Sequence, residues 1–245
     1  MAKTVLITGG SRGIGRATAI DFARAGYQVV VNYQHSQQAA QQLVSQLVNE
    51  GCLALAVQAD VADEAQVQQM IEKVQQVYGG VDILINNAGI AQQQLFTDIT
   101  SEQWQRMFAV HVNGAFYCTQ GVLPHMLRQK WGRIVNISSI WGLVGASCEV
   151  HYSAAKAALI GMTKALAKEL GPSHILVNCV APGVIETDMN SSLDQETMDW
   201  LSEETPLGII GQPQDIAQSI MFLAGETNRF ITGQVVSPNG GFVIN

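Results

Sequence analysis

Seven short apolar runs, each followed by a longer stretch of helical periodicity, constrain this chain more than any other feature. "TVLIT", "YQVVVNY", "CLALAVQAD", "VDILINNAG", "GRIVNISS", "ILVNCVAPG" and "GQVVSPNGG" read as strands in that order. Most are apolar at successive positions rather than at alternate ones, so both faces of their sheet must be covered. Between them, "GIGRATAIDFARAG" reads as a helix ended by Gly26. "SQQAAQQLVSQLVNEG" sets Ala40, Leu43 and Leu47 at helical spacing and stops at Gly51. Further helices are expected in "DEAQVQQMIEKVQQVYGG", near 101–130, over about 152–170 and around 213–224. Strands alternating with helices specify an α/β fold with a parallel, doubly wound sheet. No linker, repeat or composition break divides it, so one domain over 1–245 is expected.

Composition closes off several function classes. Of 245 residues, 47% are apolar and 13% charged, which suits a large buried core and excludes a disordered chain. A net charge of −7 offers no basic footprint for nucleic acid. Cys52, Cys118, Cys148 and Cys179 lack metal-ligand spacing, so no metal site is expected and the thiols read as reduced, in a cytoplasmic protein. The first residues run directly into a strand, with no export signal. Met107 to Leu127 carries no formal charge and is long enough to span a bilayer. His111, Asn113, Thr119, Gln120, Pro124 and His125 make it too polar for that, and a helix buried on several sides, in a subunit contact, fits better.

"LITGGSRGIG" admits two readings. Gly9-Gly10-Ser11-Arg12-Gly13 matches G-x-S-x-G, the elbow that presents a nucleophilic serine, while Gly9, Gly13 and Gly15 match a phosphate-cradling loop. Position decides between them. A nucleophile elbow needs an earlier loop to supply part of its oxyanion hole, and only one strand precedes Ser11. In a first βα turn, glycines instead let the backbone approach a pyrophosphate at a helix N-terminus. Gly9, Ser11, Arg12, Gly13, Ile14 and Gly15 are therefore assigned to a cofactor, although Thr18 stands where a third glycine is usual. This makes the domain Rossmann-type, with a dinucleotide-binding half over about 1–90 and a catalytic and substrate half over about 91–245. Ser153 and Lys156 match S-x-x-K, but its companion motifs S-D-N and K-T-G are absent. Tyr152 and Lys156, four apart, lie on one helix face, where an ammonium favours the phenolate.

"TGGSRGIG", "NNAG" at 86–89, "NISS" at 136–139, "YSAAK" at 152–156 and "PGVIETDM" at 182–189 occur in this order. Together they resemble the short-chain dehydrogenase/reductase family over essentially the whole chain. Within it, the pattern is most similar to the 3-oxoacyl-[acyl-carrier-protein] reductases and their acetoacetyl-CoA reductase relatives. The resemblance implies Tyr152 as general acid, Lys156 as the group that lowers its pKa and binds the nicotinamide ribose, and Ser139 as the hydroxyl that holds the carbonyl oxygen. Ser138 is then a structural hydroxyl. One departure stands out: where the family carries an asparagine in "VNLxGxF", this chain reads "VHVNGAF", which puts His111 there and turns Asn113 away.

The resemblance also implies a nicotinamide cofactor. An acid normally ends the second strand of an NAD site, and here Asn32 stands there, followed by "YQHS". Arg12 suits a phosphate, so NADP is expected. Asp60 and Val61 would flank the adenine, and Asn86, Ala88 and Gly89 would line the cofactor, with stabilisation of the strand ends as the alternative role of Asn86 and Asn87; Pro182, Gly183, Ile185 and Thr187 would close on the nicotinamide. The implied function is NADPH-dependent reduction of the 3-keto group of an acyl thioester. A carbonyl reductase for a free ketone and a weakly catalytic cofactor-binding protein are the alternatives. Arg128, Lys130 and Arg133 form a basic cluster that could meet an acidic acyl carrier protein. Against that, Ser173 and Ile209 stand where those reductases often carry arginine. Residues from about Met189 to Leu207, including Leu193, Met198, Trp200 and Leu201, are expected to form an apolar lid. A homotetramer is implied, with helices near 107–129 and 152–170 at an interface.

Overall fold

The computed structural model describes residues 2–188 and 194–244. Thr4–Ile7 forms β1, and α1 (Gly13–Arg24) returns the chain to β2 (Gln28–Tyr33). Then follow α2 (Gln37–Asn49), β3 (Ala54–Gln58), α3 (Glu64–Tyr78) and β4 (Ile83–Asn86). Beyond β4 come α4 (Ser101–Phe108) and α5 (Gly114–Gln129), then β5 (Gly132–Ile137). The short α6 (Trp141–Val144) precedes the long α7 (Val150–Leu170) and β6 (Ile175–Val180). Last are α8 (Gln195–Glu204), α9 (Pro213–Ala224) and β7 (Val235–Val236).

All seven strands are parallel, in the order β3-β2-β1-β4-β5-β6-β7. After β3 the chain crosses to the far side of β1, so the strand order reverses between β1 and β4. A crevice opens outside the carboxyl ends of the strands at such a point. The two-residue period of the strands sorts their side chains into two cores. Val5, Ile7, Val29, Val31, Ile83, Ile85 and Val135 face Phe22, Leu43, Leu47, Ile216 and Ile220 from α1, α2 and α9. Leu6, Val30, Leu84, Ile134 and Val177 face Val67, Met70, Val74, Cys118, Val122 and Met126 from α3 and α5.

Local chemistry sets the element ends. Thr100 and Gln103 cap α4 reciprocally, Asp194 accepts the Thr197 amide at 2.9 Å to start α8, and Pro213 occupies the first turn of α9. The helical region expected near 101–130 is divided by a π turn at Ala109–Asn113. The expected last strand shrinks to Val235–Val236, because Pro238 has no amide to donate and Gly233, Gly240 and Gly241 take positive φ. Within the expected lid, Met189 and Leu193 lie outside the described residues. Of the rest, Leu201 is buried under α8, Met198 is half-buried and Trp200 faces out, so only part of that apolar set forms a wall.

Folding removes Arg133 from the basic cluster and leaves Arg128 and Lys130 exposed. Arg133 is buried at the start of β5, where it donates to the carbonyls of Gly132 (2.9 Å) and Asn228 (2.7 Å). Arg128 and Lys130 end α5 at that same end of the sheet. Ser139 and Tyr152 lie beyond the opposite end, about 20 Å away along the strand.

Candidate active site

The β1–α1 turn is compact because its glycines touch other backbone. Gly9 takes φ +61°, and a Cβ there would meet the Cα of Ala88 at 3.0 Å. A Cβ on Gly15 would lie 2.7 Å from the Asn87 amide nitrogen and 2.9 Å from the Gly10 Cα. Thr18, in place of a third glycine, is buried and donates to the Ile14 carbonyl at 2.8 Å. The first turn of α1 carries no acid and Arg12 makes no side-chain cap, so its amides stay available to an anion. Beside this turn lies a cavity of about 510 Å³, within the range of small-molecule sites.

Gly9, Ser11, Arg12, Gly13, Ile14, Asp60, Val61, Ala88, Gly89 and Thr187 all line that cavity. Gly15 lies just beneath it. Asn32 reaches the wall, but its amide is committed: Oδ1 accepts from the Gly9 amide at 3.2 Å, and Nδ2 donates to the Ala59 carbonyl at 3.1 Å. It braces the loop from below, and the residues that face the cavity at the end of β2 are Tyr33, Gln34, His35 and Ser36. For Asn86 the strand-end role is the one the hydrogen bonds fit. Its Nδ2 donates to Asn136 Oδ1 (2.9 Å) and Thr119 Oγ1 (3.2 Å) in the interior, and its neighbour Asn87 lines the cavity. Pro182, Gly183 and Ile185 stand behind the wall. Pro182 accepts the Ile140 amide, Gly183 packs on Asn239, and Ile185 joins the core.

The three expected catalytic side chains come together at the carboxyl end of β5. Tyr152 and Lys156 lie one turn apart in α7, both buried, with Nζ 5.5 Å from the phenol ring centre. Lys156 Nζ donates to the Ile137 carbonyl at 2.7 Å. Ser138 donates to the Lys156 carbonyl at 2.8 Å and so ties β5 to α7, as a structural hydroxyl should. Ser139 accepts the Trp141 amide at 3.2 Å, and its hydroxyl also bears on the phenol. Burial pushes the Tyr152 phenol up and Ser139 pulls it down. Lys156 itself is brought down to about 8 by burial, so it keeps its proton at neutral pH and loses it as pH rises through that value. A neutral phenol beside a cationic lysine is a proton donor.

His111 sits on the inner side of the π turn while Asn113 faces solvent. Such turns insert one residue into the helical ladder and recur at functional sites. The His111 ring stands edge-on to Tyr152, with centres 5.4 Å apart. Its Nε2 lies 2.8 Å from the Ile90 carbonyl and 3.1 Å from the Ile90 amide. The absence of a Cβ at Gly89 leaves room for the ring, since one there would lie 2.5 Å from Cε1. Burial first, then Lys156, hold His111 well below the ordinary histidine value, so it is neutral. Its Nδ1 has no partner among the described residues.

Comparison with known proteins agrees with this geometry. The short chain dehydrogenase family profile matches residues 3–198. The chain belongs to the short-chain dehydrogenase family. It is 42% identical over 241 residues to 3-oxoacyl-[acyl-carrier-protein] reductase FabG of Staphylococcus aureus, covering 98% of both chains. It is 43% identical over 244 residues to the 3-oxoacyl-[acyl-carrier-protein] reductase of Synechocystis, covering 99% of this chain and 98% of that one. Among solved structures, gluconate 5-dehydrogenase from Burkholderia cenocepacia, in complex with NADP and tartrate, matches with a TM-score of 0.93. That match has 33% identity and covers 98% of this chain and 94% of the other.

Sequence reasoning missed the floor of this dehydrogenase's cleft. Thr8 and Ile90 position the Asn87–Ala88 segment and His111, yet nothing in their spacing marks them. Among the described residues no His, Cys, Asp and Glu cluster could hold a metal, and no helix is long and apolar enough to cross a membrane. Gly15→Ala is expected to weaken dinucleotide binding more than about tenfold, roughly 1.4 kcal/mol, because its Cβ displaces Asn87. Calorimetric titration with NADPH checks this, and unchanged affinity would contradict the loop assignment.

Proposed function

We propose that this protein is an NADPH-dependent reductase of the 3-keto group of an acyl thioester. The observation that carries the reading is the buried Ser139–Tyr152–Lys156 group beside a dinucleotide-sized cleft, in a chain 42–43% identical over nearly its full length to 3-oxoacyl-[acyl-carrier-protein] reductases. Bound in the cleft, the cofactor supplies the hydride. Ser139 donates a hydrogen bond to the substrate carbonyl oxygen, and Tyr152 gives that oxygen its phenolic proton as charge develops there. Lys156 holds positive charge beside the phenolate that results. His111 acts as a positioning residue, fixing Ile90 through Nε2 and packing its ring perpendicular to that of Tyr152.

Several features favour NADP. Arg12 is exposed at the rim and only loosely paired with Asp188 at 3.7 Å, a contact worth little in water. Ser36 begins α2 without a side-chain cap bond, no carboxylate ends β2, and the gluconate 5-dehydrogenase neighbour holds NADP. The thioester enters from the carboxyl ends of the strands, whether carried by CoA or by an acyl carrier protein. Exposed Trp104, Phe116, Leu127 and Val150 on α4, α5 and α7 suit burial in a homotetramer, and the protein is assigned to the cytoplasm. A free polar ketone is the second reading. It is favoured by the resemblance to gluconate 5-dehydrogenase.

The test is oxidation of NADPH and NADH with acetoacetyl-CoA, run beside a free keto acid. NADPH-selective turnover of the thioester is expected. Turnover of the keto acid alone would move the assignment to the second reading. Arg12→Ala is expected to raise the KM for NADPH about tenfold and leave that for NADH nearly unchanged. Equal losses would contradict its role. His111→Asn should keep activity within about threefold, whereas His111→Ala should lower kcat by roughly 10- to 100-fold through misplacement of Ile90 and Tyr152. Full activity in the alanine variant would show that the ring positions nothing.

A further inference from the structure

We propose that Trp141, backed by Phe242, is a specificity-determining residue: its indole walls off the alkyl side of the substrate site and restricts the reaction to short 3-oxoacyl chains. The proposal deepens the thioester reductase reading and rests on it. Trp141 opens α6, two residues after Ser139, and its amide donates to Ser139 Oγ at 3.2 Å. Its side chain packs on the cluster of Met107, Tyr152 and Ala155, as do those of Ile90, Phe108 and Val112. One residue thus bonds Ser139 through its backbone and packs on the Tyr152 cluster through its ring. Ser139 and Tyr152 are buried, whereas Trp141 is half-buried, and it is not among the residues that line the dinucleotide cavity.

The reaction geometry brings the substrate to this wall. A carbonyl oxygen that accepts from Ser139 Oγ sets the ketone carbon at most about 4 Å from that atom. The Trp141 amide is 3.2 Å from the same oxygen, so a substituent on the ketone carbon comes within reach of the indole. That carbon carries two substituents. One leads to CoA or a carrier protein, which is too large to be enclosed and must point to solvent. The other is the alkyl end, and it is the one left to meet Trp141, Ile90, Phe108 and Val112, all apolar.

The wall is braced from behind. The Trp141 ring meets that of Phe242 edge-on, with centres 5.8 Å apart. Phe242 stands on a turn organised by Asn239, whose Oδ1 accepts the Gly241 amide at 2.9 Å and whose Nδ2 donates to Ser237 Oγ (2.8 Å) and the Val243 carbonyl (2.9 Å). That turn is wedged on two sides. A Cβ on Gly183 would lie 2.8 Å from the Asn239 Cα, and the Leu207 amide, just past α8, donates to the Gly240 carbonyl at 3.1 Å. On the other flank the Ile140 amide donates to the Pro182 carbonyl at 3.0 Å. Gly142 lets α6 settle on α7, since a Cβ there would lie 2.8 Å from the Lys156 carbonyl carbon. A wall packed this closely admits added methylenes only by displacing its neighbours.

The experiment measures kcat/KM with NADPH for acetoacetyl-CoA and 3-oxooctanoyl-CoA, and in parallel for ethyl acetoacetate and ethyl 3-oxooctanoate. The esters keep the alkyl end and carry no thioester. Wild type should favour the shorter member of each pair by about tenfold or more. Trp141→Val should raise the long-to-short ratio more than about tenfold, and Phe242→Leu, which only loosens the indole, about threefold. A merely structural role would lower both members of a pair alike and leave the ratio in place. Should Trp141→Val fail to fold, Trp141→Phe and Phe242→Leu carry the same comparison. A ratio unmoved by these variants, or a wild type that prefers the longer chain, would overturn the proposal. A ratio that moves with the esters while neither thioester turns over would sink only the thioester assignment. Turnover of none of the four would overturn the reductase reading and this proposal with it.

Discussion

A small hydrogen-bond knot at the reversal of strand order holds the rest of the site. The Thr8 hydroxyl donates to the Ile85 carbonyl and accepts the amides of Asn87 (2.9 Å) and Ala88 (3.0 Å). Asn87 returns two bonds, to the carbonyls of Thr8 (3.0 Å) and Gly9 (3.1 Å), and Asn32 takes the Gly9 amide from the other side. One hydroxyl and two amides thereby weld the ends of β2, β1 and β4 into a single floor. A buried network with its bonds made is rigid, whereas a broken one leaves desolvated donors behind. The glycine loop and the Ala88–Ile90 segment both stand on this floor. Because His111 bonds Ile90, the position of the Tyr152 ring is referred to the same knot.

The catalytic group shows how burial does most of the electrostatic work. Water is excluded from Tyr152, Lys156 and His111, so each is pushed toward its neutral form. The phenol keeps its proton, the histidine is uncharged, and the lysine alone keeps its charge near neutrality. A second polar chain, Asn86 to Asn136 to Thr163, runs between the sheet and α7, with bonds of 2.9 and 2.8 Å. It fixes the helix that carries Tyr152 against the strands that end at Ser139. Of four free thiols, those of Cys118 and Cys179 are fully buried and add to the packing.

Much of this was legible in the sequence, for a physical reason. Two-sided apolar strands and one-sided helices have few ways to bury their faces, so the parallel sheet followed from "TVLI", "QVVVNY" and "DILIN" together. The glycine loop was equally readable, because close backbone approach at Gly9 and Gly15 excludes other side chains. What escaped were features decided by tertiary contact. The π turn at Ala109–Asn113 has no local sequence signal, and only packing against Ile90 and Tyr152 reveals it. Asn32 was marked by its place at the end of the second strand and Asn86 by the "NNAG" motif. Here they are consumed by backbone and by Asn136. Arg133 looked like surface charge, yet its guanidinium serves carbonyl groups inside the molecule. In each case spacing located the residue, and its hydrogen-bond partners decided its work.

The central claim is that Tyr152 supplies the proton while the dinucleotide site stands independently of it. The most direct measurement pairs calorimetric NADPH binding with single-turnover reduction of acetoacetyl-CoA for Tyr152→Phe. The account predicts an affinity within about threefold of wild type and a chemical step slowed by roughly 10²–10⁴-fold. A phenylalanine variant that reduces the thioester at the wild-type rate would contradict it.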